Sequence, residues 1–395
     1  MRKSFVFIIL FLLMVGGFIR LLQIQQRETR NERSVLLLDK DHSLIYRMLS
    51  DSIPGRFVFS LRNEMQFYVQ IVDALKLKYL SYLVVLRSDG NLLLSRSLLS
   101  FGEPTVFYNF GIFDEELYAF FTGNLQDLKE NRSSVRFLSR TFDEVRLPGT
   151  AYREKDLDGH DLLKMPNQNI MFLFEQKNDG DATIANEIQE RNPHGDTVFR
   201  WNSQFYIDKK KDEKFEEIDP LHLNSIAMQS KNTLALSFNR ISRIIGLKYP
   251  TQEILWEIDA KNWKFINDTY GGFVRQHTIH FLKNGDLLLF DNGNGLPPRR
   301  SRAVQYKLDF DRKEITQVWE FQCPNAYPIR EGEGSVQRLS NGNTLIGWGH
   351  PSKQYGEIES DTVFTEVAPD GKITRELISE PPLYAYKVYF DETSN

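Results

Sequence analysis

One pattern recurs four times along this chain and constrains its fold more than any other feature. It reads "HDLLKMPNQNIMFLF" from His160, "HLNSIAMQSKNTLALSF" from His222, "HTIHFLKNGDLLLF" from His277 and "GSVQRLSNGNTLIGW" from Gly334. The starts are spaced by 62, 55 and 57 residues. Each copy is a strand, a tight turn and an apolar returning strand. Asn284-Gly285 and Asn341-Gly342 supply the φ > 0 residues that such a hairpin needs. Alternating stretches such as "SRAVQYKLDF" and "DTVFTEVAPDG" predict a third strand, and "EILWEID" and "QVWEF" a fourth. Four antiparallel strands at a near-constant period predict the blades of a β-propeller. A plain β-sandwich has similar turns but gives no reason for the period.

The expected class is therefore all-β, and an aromatic content of 13%, with 29 Phe and 16 Tyr, agrees with it. "YLVVLRSDGNLLLSRSLL" and "VRFLSRTFDEVRLP" predict parts of one earlier, diverged blade between about residues 80 and 150. Four or five blades are legible, and five or six if the first 80 residues contribute; a ring of six is the expectation. The expected propeller covers 81–395, behind a linker and unassigned segment over 25–80 that includes a helix from Glu64 to about Leu80.

Arg2 and Lys3 precede an apolar run from Phe5 to Ile19. The run is short for a spanning helix and has the length of a signal-peptide core. Gln, Arg and Glu follow it in place of a small-x-small cleavage site, so an uncleaved signal anchor over 1–24 is expected, with a cleaved signal second. Either places the propeller outside the cytoplasm, in the periplasm, a lumen or the cell exterior. A net charge of -4 gives no general case for nucleic-acid binding. Cys323 is the single cysteine, which excludes an internal disulfide and a Cys-based zinc site.

In each repeat, the residue before the first strand and the residue after the second lie at one end of a hairpin. His222 and His277 then share an end with Asn292, with Arg240 after "LALSFN", and with His350 after "TLIGWG". If the first strands line a central channel, these groups meet at one mouth, a concave site that attracts anions. His160, His222 and His277 hold the same place in three copies. Histidines there could equally tie one blade to the next. His280, three residues beyond His277, falls on the opposite strand face and reads as structural. Arg299 and Arg300 stand in a basic loop, and Asp291 and Asn292 either shape a turn or orient a histidine. Trp256, Trp319 and Trp348 read as blade core.

At these residues the chain resembles the arylsulfotransferase family, whose members take sulfate from a donor ester and not from a nucleotide. The matching pieces are "DPLHLNSI" from Asp219, "QHTIHFLKNGDLLLFDNG" from Gln276, "SRAVQYKLD" from Ser301, "VWEF" from Val318 and "GSVQRLSNGNTLIGWG" from Gly334. They span about residues 155 to 390 in the family's order. The resemblance implies a six-bladed propeller, an extracytoplasmic site and a histidine that carries the sulfuryl group. His222 matches the histidine of the family's Asp-x-x-His-x-Asn motif, and His277 that of its Gln-His motif. The family's arginine after Asp-Asn-Gly is replaced here by Gly295-Leu296, with Arg299 and Arg300 slightly later as clamps. The family nucleophile is a further histidine toward the C-terminus, and His350 is the sole candidate after His280.

The implied reaction moves a sulfuryl group from an aryl sulfate to a phenol through a sulfohistidine. His350 is the expected nucleophile, and His222 and His277 are oxygen ligands or acid–base groups. His160, Asn224, Asn292, Arg240, Arg299 and Arg300 bind substrate. No cofactor and no metal is expected; the partners are the two small molecules and, through the N-terminal segment, a membrane, with a homodimer left open. Two rivals stand beside this reading. One is a propeller that binds a ligand without turning it over. The other is a metal-dependent hydrolase built on Asn224, Asn292 and Glu333.

Overall fold

A computed structural model describes residues 32–37, 43–50, 53–62, 81–97, 105–124, 132–147, 154–179, 182–210, 212–293, 299–324, 328, 330–352, 358–380 and 382–392. The anchor expected over 1–24 and the helix expected from Glu64 lie outside them. Among the described residues no helix is long and apolar enough to cross a membrane.

Six sheets form the blades of a propeller, each counted from the innermost strand. Blade 3 runs Leu157–Lys164, Ile170–Lys177, Thr183–Arg191, Thr197–Asn202, and blade 4 runs Leu223–Ser230, Thr233–Phe238, Arg243–Lys248, Glu253–Ile258. Blade 5 is His277–Phe281, Leu287–Asp291, Arg302–Asp309 and Glu314–Gln322, with Lys264–Ile266 parallel on its outer edge. These are the units that the repeat predicts.

The two ends of the chain close the ring. The C-terminal strand Tyr384–Asp391 is the innermost strand of blade 1 and pairs with Arg56–Arg62, which is followed outward by Ser81–Arg87 and Leu92–Ser97. Blade 6 starts with Ser335–Arg338, Thr344–Gly347, Asp361–Val367 and Ile373–Glu380, and then takes Ser43–Met48 and Glu32–Leu37 as outer strands. Residues 32–62, read from the sequence as linker and unassigned segment, thus contribute three strands. "YLVVLRSDGNLLLSRSLL" and "VRFLSRTFDEVRLP" also separate. The first belongs to blade 1 and the second to blade 2, whose inner strands are Thr105–Ile112 and Leu117–Asn124. The diverged region holds parts of two blades because blade 1 borrows its inner strand from the far end of the chain.

The turns repeat at atomic detail. Asn167, Asn284 and Asn341 each accept, on Oδ1, the backbone N–H two residues on, at 3.1, 3.1 and 2.9 Å. Ser230 Oγ does the same for Asn232 at 3.3 Å in blade 4, where the turn is longer. Six apolar clusters fill the six gaps between neighbouring blades. Trp348 is fully buried between blades 5 and 6, and its Nε1 donates to Thr365 Oγ1 at 2.8 Å. Side-chain burial between blades, at about 25 cal/mol per Å² of apolar surface, holds sheets together that share few backbone hydrogen bonds.

Candidate functional site

The inner strands present their first residues at one end of the axis, and the backbone there departs from regular β geometry. Asp219, His222, Arg275, Thr278 and Glu333 all have positive φ, between 44° and 66°. Thr278, being β-branched, is the least suited to it, and its Oγ1 is held by Gly334 O at 3.0 Å. Such conformations persist only where the surroundings hold them. Asparagine amides do much of the holding. Asn109 Nδ2 donates to His160 O at 3.1 Å, and Asn224 and Asn239 donate to Gln276 O at 2.9 and 3.1 Å. Asn292 Nδ2 donates to Glu333 O at 3.1 Å. Each amide in blade n thereby sets the backbone that begins blade n + 1.

Three histidines from three blades gather inside this frame. The rings of His160 and His222 meet edge to face, with centroids 4.8 Å apart at 85°. Tyr386, on the inner strand of blade 1, lies 5.8 Å from the His160 ring and 6.4 Å from the His277 ring. The spacing that predicted convergence of His160, His222 and His277 therefore describes their placement.

Their chemistry differs. His277 is buried, and its Nδ1 faces Asn292 Oδ1 at 2.6 Å. An amide oxygen only accepts, so Nδ1 carries the proton. Nε2 then accepts from the Glu333 N–H at 3.3 Å. Burial drives the pKa of His277 well below its ordinary value; the Asn292 bond opposes this, and the nearby His222, His160 and Lys387 reinforce it. The ring is a neutral imidazole with both nitrogens in use.

His160 and His222 are instead harnessed to carboxylates. His160 Nδ1 hydrogen bonds Asp158 Oδ1, and His222 Nδ1 lies 2.5 Å from Asp219 Oδ2. Burial lowers the pKa of His160, but the charge and hydrogen bond of Asp158, together with the charges of Glu175 and Asp219, hold the ring above its ordinary value. Asp219 also receives Arg240 Nη2 at 3.5 Å, while Arg240 Nη1 pairs with Glu216. Among the described residues neither His160 Nε2 nor His222 Nε2 has a hydrogen-bond partner, and the two side chains are 26% and 29% exposed.

The remaining sequence-predicted residues have other surroundings. Arg299 donates to the carbonyls of Tyr270 and Gly272 at 2.8 and 3.2 Å, and Arg300 to Cys323 O. Both guanidinium groups engage backbone of blade 5. His350 lies in the short strand His350–Pro351, paired with Arg330–Gly332; its ring is 6.3 Å from Tyr384 and its Nδ1 is 3.2 Å from Pro351 O. Asn224 and Asn292 place their amide nitrogens on backbone carbonyls, and among the described residues no three His, Cys, Asp or Glu side chains form a metal-binding group. Asp291 accepts from the Val274 and Gly293 N–H groups and from Arg302, so it is the turn's internal support.

Three site residues were missed from sequence. Asp158 and Asp219 had a readable signal: an acid two or three residues before a histidine that already recurs. Tyr386 had none, because its strand joins the ring only on closure.

Comparison with known proteins agrees with this architecture. A sequence model of the arylsulfotransferase (ASST) family matches residues 122–378, more than half of the chain. The chain belongs to the arylsulfotransferase family. The arylsulfate sulfotransferase AssT of Escherichia coli O6:H1 is 25% identical over 162 residues, covering 32% of this chain and 27% of that relative. The match therefore spans about a quarter of the relative's length. A protein of unknown function from Bacteroides caccae has a similar crystal structure, with a TM-score of 0.52 at 12% identity, over 86% of this chain and 99% of that one. That likeness concerns the fold.

Proposed function

We propose that this member of the arylsulfotransferase family moves a sulfuryl group from an aryl sulfate to a phenol through a covalent sulfohistidine. The observation that carries the reading is the setting of His222, although the family resemblance places the carrier on a later histidine. Its Nδ1 is set by Asp219, and its Nε2 has no hydrogen-bond partner among the described residues. A carboxylate on Nδ1 fixes the tautomer in which Nε2 keeps a lone pair, the form able to attack sulfur. In phosphoryl transfer, charge spreads over the equatorial oxygens, with attacking and leaving atoms in line; a sulfate ester has the same demands. The neutral His277 shapes the wall, and Arg240, which shares Asp219 with His222, supplies positive charge. The geometry favours His222 over His350 as carrier, and Arg240 over Arg299 and Arg300 as the cation beside it.

The test is a burst of phenol from an aryl sulfate, followed by mapping of a labelled histidine before acceptor is added. Label on His222, lost in H222Q and kept in H350Q, is the expected result. Label on His350 overturns the assignment, and neither burst nor label from folded protein overturns the transfer reading. A second reading, a propeller that binds the ester without turnover, is favoured by blade 6, where Gly334 takes the place that histidine holds in three other blades. We further propose that the N-terminal segment anchors the chain to a membrane with the propeller outside the cytoplasm; the mass of the mature chain in membrane and soluble fractions tests it.

A further inference from the structure

We propose that the end of the propeller opposite the histidines is the surface turned towards the membrane, so that the histidine mouth opens into the aqueous compartment and takes water-soluble esters and phenols. This rests on the reading of an N-terminal membrane anchor above, and it does not depend on which histidine carries the sulfuryl group. Strand direction in blade 6 distinguishes the two ends. Glu333 donates its N–H to His277 Nε2 at 3.3 Å, so the inner strand Ser335–Arg338 starts at the histidine end. Each further strand of this sheet is antiparallel to its neighbour. The end from which a strand starts therefore alternates outward across the sheet. Asp361 opposes Ser379, and Ser43 opposes Glu380, at the histidine end. Val367 opposes Ile373, and Glu32 opposes Met48, at the far end.

The chain thus enters blade 6 at Glu32 from the far end. The expected anchor ends at Ile24, which leaves seven residues, 25–31, before the strand. Seven residues, fully extended, reach about 24 Å at most. The strand Glu32–Leu37 rises roughly 17 Å towards the histidine end. Turning the mouth to the bilayer would make those seven residues climb the full height of the blade and pass the loops above it, which takes most of their reach. Setting the far end against the bilayer needs no such climb. Phe205 and Ile218, each 61% exposed, stand at the histidine end in the connection between Asn202 and Leu223. They would be the lipid contact if the mouth faced the bilayer, and in the orientation proposed they face water.

The substrate class follows from the height of the mouth. An ester or phenol held in the bilayer by an acyl chain would lie about 20 Å below it, the length of a six-residue strand. A sulfate ester that is free in solution carries its charge through water all the way to the site. Donor and acceptor are therefore small, soluble molecules of the compartment that the propeller occupies.

The experiment puts a fluorescent label at one end or the other of the full chain, reconstituted in phosphatidylcholine vesicles with a nitroxide quencher on part of the headgroups. Cys323, the single cysteine, is buried, so an added surface cysteine takes the label in folded protein. In blade 6, Glu359 lies two residues before the strand that starts at the histidine end, and Lys372 lies in the far turn. Glu217, in the connection that leads to His222, and Lys283, in the far turn of blade 5, give a second pair. All four side chains are exposed. Fluorescence is expected to be lost in K372C and K283C and kept in E359C and E217C. Equal loss at both ends, loss at the histidine end alone, or loss at neither end in protein that floats with the vesicles overturns the orientation and leaves the anchor and transfer readings intact. Folded protein that does not float with the vesicles overturns the anchor reading and this inference with it.

Discussion

His277 shows how a residue type and its chemistry can part company. Its place in the repeat equals that of His160 and His222, but its neighbours are the amide oxygen of Asn292 and a backbone N–H from blade 6. An amide favours the neutral ring where a carboxylate favours the charged one. The consequence for stability has a definite sign. Burial lowers the folded-state pKa of His277, so between that value and the ordinary histidine value of about 6.5 the unfolded chain binds more protons. Stability contributed by the neutral ring is present above that window and is lost as pH falls through it. His280, also lowered by burial, acts in the same direction. Denaturant unfolding is expected to show stability falling below about pH 6.5, and H277Q to flatten this slope. An unchanged slope in H277Q would show that the ring is not held neutral.

At the scale of the hairpin, the repeat was legible because its turn chemistry is local. An asparagine two residues before a donor N–H, followed by a glycine able to take φ > 0, makes the same turn wherever it occurs. Glycines with similar backbone angles nevertheless differ in what surrounds them. Gly285, at φ +85°, has nothing within 4 Å of an added Cβ. Gly334, at φ +97°, would place that Cβ 2.4 Å from the Phe290 ring. G285A is expected to destabilise by about 1 kcal/mol, for backbone strain alone. G334A is expected to cost about 3 kcal/mol or more, because strain adds to overpacking between blades 5 and 6. Equilibrium unfolding of the two variants checks the order, and a G334A no worse than G285A would refute the packing account. The substitution of histidine's place by Gly334 in blade 6 is thus also a packing requirement.

Across the whole molecule, contacts that bridge the ring were not legible at all. Lys387, 1% exposed on the inner strand of blade 1, pairs with Asp161 of blade 3 at 2.9 Å. Asp161 also accepts from Ser225 Oγ at 3.0 Å and the Ile226 N–H at 3.1 Å in blade 4. One carboxylate therefore joins blades 1, 3 and 4. Removing one partner of a buried pair leaves the other charge uncompensated, so K387M is expected to cost about 3–5 kcal/mol. The double variant D161N/K387M should recover a large part of it, and a double variant as unstable as K387M would locate the loss elsewhere.

By itself the sequence determined the hairpins, the number of residues per blade in the middle of the chain and the common end at which three histidines begin their strands. Those properties follow from turn geometry and strand alternation, which act over a few residues. Tertiary structure decided that the N- and C-terminal strands complete blades 1 and 6, that Tyr386 enters the site, and that His277 is neutral while His160 and His222 face carboxylates. The partners involved lie on different blades or at opposite ends of the chain, and their hydrogen bonds and charges act only once closure brings those segments within a few ångströms.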